Sequence, residues 1–187
     1  MARENTIACP AVCPYLKEAR FHEQPPPVDE TQVPHQDVRL TEAFLREHEA
    51  LVYALALALK RAMDAADAVD FDAREALDAQ IRTYRTLDAG LIYETKPANP
   101  YAAAVQQKMQ TAIEELRQGL DQEHGRSTLR DASGMSTVRD ASVLGVLVFL
   151  QRLEMQYNNG RRRGKAFRDF LASYLPEPAP STAMVVS

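Results

Sequence analysis

Leu51-Val52-Tyr53-Ala54-Leu55-Ala56-Leu57-Ala58-Leu59 is the stretch on which the fold turns. It is apolar nearly all round, so a helix through it must bury most of its circumference. Ala50, Ala54, Ala58 and Ala62 recur at every fourth residue and form a row without bulk, which a second helix can approach closely; Ala54 and Ala58 are expected to be buried at that contact. Leu51, Leu55 and Leu59 form the neighbouring row. Upstream, Thr41 offers a hydroxyl to the free N–H groups of a first turn, and Leu40 and Leu45 hold the two positions of a hydrophobic staple. The first helix is therefore predicted from Thr41 to about Ala66.

The second uniformly apolar run is Val143–Leu150. Its β-branched content suits a buried strand, but its flanks favour helix and no second strand exists to pair with it. Between these runs lie two amphipathic helices. Asp72-Ala-Arg-Glu75 has the spacing of a capping box, followed by Leu77, Ile81, Tyr84, Leu87 and Leu91 on one face. Asn99-Pro100 combines a side-chain cap with a proline at the first helical position, and Tyr101, Val105, Met109, Ala112, Leu116 and Leu120 follow on one face. Ser136 or Thr137 is placed to cap the helix through Val143–Leu150, which stops at Asn158-Asn159-Gly160. A short fifth helix, about Gly164 to Leu175, ends at Pro176. These elements predict an all-α protein: an antiparallel four-helix bundle with short links, a short fifth C-terminal helix and an extended proline-rich N-terminal arm. The two most apolar helices, the first and the fourth, are expected to form the central pair.

Prolines at 10, 14, 25, 26, 27 and 34 bar a long helix from most of the N-terminal region. The expected organisation is an extended or partly disordered arm over 1–37, a helical domain over 38–175 and a disordered proline-rich tail over 176–187. Neither apolar run approaches the ~20 residues that span a bilayer, so no membrane insertion is expected. The first residues lack the pattern of a signal peptide, which makes the cytoplasm the expected location.

The net charge of −4 hides a split. Residues 37–123 carry ten Lys/Arg against sixteen Asp/Glu, whereas residues 159–175 carry five Lys/Arg against one Asp. Arg161, Arg162, Arg163, Lys165 and Arg168 make a basic segment suited to gripping phosphate. Several also sit just past a helix C-terminus, where the helix dipole favours cations. We read them first as a clamp that pairs with bundle carboxylates, and nucleic acid as a disfavoured partner of an acidic protein.

Cys9 and Cys13 can chelate one soft ion, copper or zinc, with His22 or His35 adding a nitrogen ligand. The six residues Cys9-Pro-Ala-Val-Cys13-Pro14 resemble the copper-binding motif of the Sco-type copper chaperones. The resemblance implies thiolate copper ligands at Cys9 and Cys13; it does not extend to that family's thioredoxin-like fold.

On the first helix, Arg46, Glu49, Tyr53, Lys60 and Asp64 trace a polar stripe that includes Leu57, so Tyr53 and Leu57 stand as candidate interface residues. Catalytic signatures are missing: there is no nucleophile elbow, no Gly-rich nucleotide turn and no Glu-x-x-His pair, and His48 reads as an edge-of-core residue. The expected function is non-enzymatic, through contact with a protein partner or a second copy of the chain. Soft-metal binding is the alternative, and phosphate or nucleic-acid binding through 161–168 the third.

Overall fold

The computed structural model describes residues 33–91, 93–123 and 138–175. Among them the chain is all-α, with six helices and no strand: α1 Glu42–Glu47, α2 Glu49–Ala66, α3 Asp70–Asp88, α4 Pro100–Glu123, α5 Asp140–Tyr157 and α6 Ala166–Tyr174. Cys9, Cys13 and His22, the expected cap at Ser136 or Thr137, and the tail lie outside the described residues.

The first expected helix is present as two pieces. Thr41 caps α1, its Oγ1 accepting from Phe44 N–H at 3.1 Å. His48 then leaves helical geometry (φ −106°, ψ 21°). Its Nδ1 lies 3.0 Å from the Phe44 carbonyl oxygen, its Nε2 lies 2.9 Å from Ser142 Oγ, and its ring stacks on Phe44. Phe44 in turn rests on Gly145 of α5, where any side chain would overlap the ring. The break thus turns α1 onto α5.

Helix α3 starts earlier than its capping pattern suggests. Val69 is the N-cap residue, and Asp72 accepts from Val69 N–H at 2.9 Å as the third helical residue. Its apolar face runs through Ala73, Leu77, Ile81 and Tyr84 to the half-buried Leu87. Leu91 falls beyond the helix end and is exposed, because Gly90 takes a positive φ of 76° and turns the chain. At α4 the cap is Asn99, whose Oδ1 accepts from Tyr101 N–H at 3.0 Å. The buried face there is Ala102, Val105, Met109 and Ile113; Tyr101 is exposed.

The link between α3 and α4 is eleven residues long and runs back along α3. Thr86 Oγ1 donates to Tyr93 O at 2.9 Å, Thr95 N–H donates to Thr83 Oγ1 at 3.0 Å, and Asn99 Nδ2 donates to Asp72 Oδ1 at 2.6 Å. An extended chain spans about 3.3 Å per residue, and α3 rises only about 1.5 Å per residue. Eleven residues therefore suffice to return to its start. In consequence α3 and α4 run in the same direction: Asp72 meets Asn99, Gln80 meets Gln110 at 2.8 Å, and the Arg117 guanidinium lies over the Tyr84 ring. This corrects the expectation of short links with every helix opposed to the one before it. The periodicity of a helix carries no information about the direction of its neighbour.

Helix α5 opposes both. Arg74 near the start of α3 meets Glu154 near the end of α5, and Arg117 near the end of α4 meets Asp140 at the start of α5. The most extensive packing joins α3 with α5 and α2 with α4. Helices α2 and α5, expected as the central pair, touch less. Each uses its apolar girth against a principal partner elsewhere, and the buried run Val143–Val148 sits chiefly against α3. The short α6 covers the end where α2, α3 and α5 meet. Among the described residues no helix is long and apolar enough to cross a membrane.

Candidate functional site

Two surface features concentrate chemistry. The first is a cleft of about 720 Å³ between α2 and α4. Ala54, Ala58, Ala62 and Ala65 form one wall and Ala112 and Gly119 the other, with Leu57 and Leu116 adding bulk. Ala62 is fully buried, but Ala54 and Ala58 are half-buried. The close helix contact expected along the alanine row is therefore made at Ala62 but not along its whole length; before and after Ala62, at Ala54, Ala58 and Ala65, the row faces the open cleft. Leu57 is half-buried within it; Tyr53, one helical turn before Leu57, does not line it and is 52% exposed. Arg61, Lys108 and Glu115 rim it, and among the described residues neither cation is ion-paired. Arg61 thus takes the exposed place that the sequence reading gave to Lys60. Lys60 is buried and donates to Asp64 at 3.0 Å.

The second feature is the basic segment, which divides in two. Lys165 and Arg168 clamp α6 to the end of α2. Lys165 Nζ meets Asp67 Oδ1 at 2.8 Å; Arg168 Nε meets Asp64 Oδ1 at 2.7 Å, and its Nη1 meets Asp67 Oδ1 at 3.2 Å. Hydrogen bonds from Lys165 and Arg168 hold the Asp67 carboxyl below its ordinary range. For Asp64, burial pushes the carboxyl up, but the bonds from Lys60 and Arg168 outweigh it and the net shift is downward. Asp70 completes the clamp: its buried carboxylate accepts from Phe167 and Arg168 N–H at 3.1 and 3.2 Å. Burial pushes its carboxyl up against those bonds. Arg161, Arg162 and Arg163 take no part. They are exposed on the turn closed by Gly164 N–H to Arg161 O. Asn158 and Asn159 shape that turn, their Oδ1 atoms accepting from Gly160 and Arg161 N–H.

His35, offered as an extra metal ligand, is engaged elsewhere. Arg85 Nη2 lies 3.0 Å from its Nδ1 and Arg152 Nη2 donates to its carbonyl at 2.7 Å. Burial and the Arg85 charge lower its pKa. Among the described residues no group of three His, Cys, Asp or Glu is placed to hold a metal. One polar pair escaped sequence reasoning: Glu154, fully buried, receives two hydrogen bonds from Arg74 at 2.8 and 3.2 Å. A carboxylate at an apolar helix position was the available signal. No family model, no curated protein and no solved structure matches the chain.

Proposed function

We propose that this is a non-enzymatic four-helix-bundle protein that acts through protein–protein contact, and that the α2/α4 cleft receives a second copy of the chain. In this reading α2 to α5 form the bundle, with α2/α4 and α3/α5 as its opposed pairs, and α6 closes one end. The observation that carries the proposal is the cleft, with the exposed Tyr53 one helical turn from its lining residue Leu57. A cavity lined largely by Ala and Gly is continued along the Tyr53–Leu57–Arg61 row of α2 by an exposed aromatic residue. A two-fold contact uses one patch twice, so it needs both a projection and a recess on that patch. Aromatic anchors seated in apolar pockets contribute most of the energy of such contacts.

Size sets the expected strength. The patch extends along α4 from Ala104 to Gly119, about 23 Å at 1.5 Å per residue. A strip of that length and roughly 15 Å wide buries only a few hundred Å² per copy, at or below the small end of specific interfaces. Association in the micromolar range or weaker follows.

Sedimentation equilibrium across a wide concentration range tests the proposal. Reversible dimerisation is expected, abolished by Ala58→Arg with Ala112→Arg and weakened by Tyr53→Ser, with unchanged circular dichroism. A wild-type protein that stays monomeric throughout, or a dimer indifferent to the cleft substitutions, would overturn it.

A further inference from the structure

We infer that the turn carrying Arg161, Arg162 and Arg163, together with Phe71, is a binding surface for a short single-stranded nucleic-acid segment. The inference concerns the opposite end of α2 from Tyr53 and does not depend on dimerisation. Asp70 N–H donates to Gly164 O at 2.9 Å, which fixes the arginine turn against the first residues of α3. Phe71 follows immediately. The side chains of Asp70 and Asp72 are both held by hydrogen bonds, to the α6 N-terminus and to Val69 and Asn99, while Phe71 is 55% exposed. Tyr101, also 55% exposed, belongs to the first turn of α4, which Asn99 ties to Asp72.

Three exposed guanidinium groups without a carboxylate partner among the described residues favour an anion. The nearby carboxylates Asp64, Asp67 and Asp70 are occupied by Lys165, Arg168 and the α6 N–H groups. Asp169, exposed in the first turn of α6, adds a negative charge that acts on Asp70. Counted with Lys60, Lys165 and Arg168 against Asp64, Asp67, Asp70, Asp72 and Asp169, the three arginines leave a local balance of about one positive charge on a chain whose net charge is −4. Among the described residues none of the three guanidinium groups is ion-paired. Arginine offers a planar fork to phosphate oxygens, and an exposed phenyl ring offers a face to any base. A structural clamp uses neither the triple arginine nor the exposed ring.

Titration of a fluorescent oligothymidylate of about 12 nucleotides into the full-length protein at a series of salt concentrations tests the inference. Three neutralised phosphates give a log–log salt slope of about −2, so affinity should fall about 20-fold between 50 and 200 mM salt. Replacing all three arginines with Gln should flatten the slope. Phe71→Ala should weaken binding about five-fold or more with the slope kept, because stacking carries no counterion release. All four side chains are exposed, so folding is preserved. Absence of binding at low salt, a slope unchanged by the triple substitution, or binding to anionic phospholipid vesicles without binding to the oligonucleotide would overturn it.

Discussion

Arg74→Met isolates the buried charge of Glu154. In the native protein the Arg74 fork donates twice to a carboxylate whose side chain is 1% exposed, while the arginine side chain itself is 44% exposed. Removing one partner of a buried pair costs about 3–5 kcal/mol where the survivor stays charged and dry. The exposure of Arg74 reduces that figure. Protonation sets an upper bound. Neutralising a carboxyl of ordinary pKa near 4.3 costs about 3.7 kcal/mol at pH 7 and about 1 kcal/mol at pH 5, at 1.36 kcal/mol per unit. The native shift already takes up part of that bound, so the expected loss is about 2–3 kcal/mol at pH 7, shrinking below about 1 kcal/mol at pH 5. The sign agrees with the native shift. Burial raises the Glu154 pKa despite Arg74, so the folded state holds its proton to higher pH than the unfolded chain. Such a group subtracts stability as pH rises from the unfolded pKa through the folded one. Arg74→Met widens that window upward. Urea denaturation followed by circular dichroism at the two pH values measures both numbers, and Arg74→Met with Glu154→Leu should recover most of the loss and all of the pH dependence. A single-variant loss that is the same at both pH values would refute the reasoning, because it would mean that Glu154 is hydrated without its arginine.

Ala62→Leu should cost about 1–3 kcal/mol by overpacking a fully buried site, whereas Ala58→Leu, facing the cleft, should change stability by less than about 0.5 kcal/mol in chemical denaturation. Thr41→Ala should destabilise by about 0.5–2 kcal/mol through loss of the α1 cap, toward the lower end because the site is exposed. Asp70→Asn should loosen α6 in part, since its one amide oxygen can replace only one of the two carboxylate oxygens that accept from Phe167 and Arg168, while Asp70→Ala should expose α6 further to limited proteolysis. Because burial raises the Asp70 pKa, its ionisation opposes folding as pH rises through that raised value; Asp70→Asn should therefore remove a decline in stability on the alkaline side of the ordinary carboxylate range.

The sequence by itself determined the helical class, most helix limits and most of the core. Thr41 and Asn99 cap where their side-chain oxygens predict, because capping is a contact between near neighbours in the chain. Leu55, Leu59, Leu77, Ile81 and Val143–Val148 are buried because apolar periodicity is a local pattern that any partner helix must satisfy. In α4 the pattern was read about one residue off. Ile113 is buried beside Met109, while Ala112 and Leu116 face the cleft: small and apolar residues on adjacent rows cannot be sorted without the neighbour in place. Only tertiary structure decided the rest. Nothing local in residues 89–99 states that the link returns along α3, since its hydrogen-bond partners, Thr83, Thr86 and Asp72, lie on another element. That return makes α3 and α4 parallel and fixes which helices become principal partners. The same holds for the basic segment. Five cations of one short stretch looked alike in sequence, and the placement of Asp64 and Asp67 beneath two of them separates Lys165 and Arg168 from the three exposed arginines. Charge pairing across an end of the bundle depends on distances between residues about 100 positions apart, and only the packed helices set those distances.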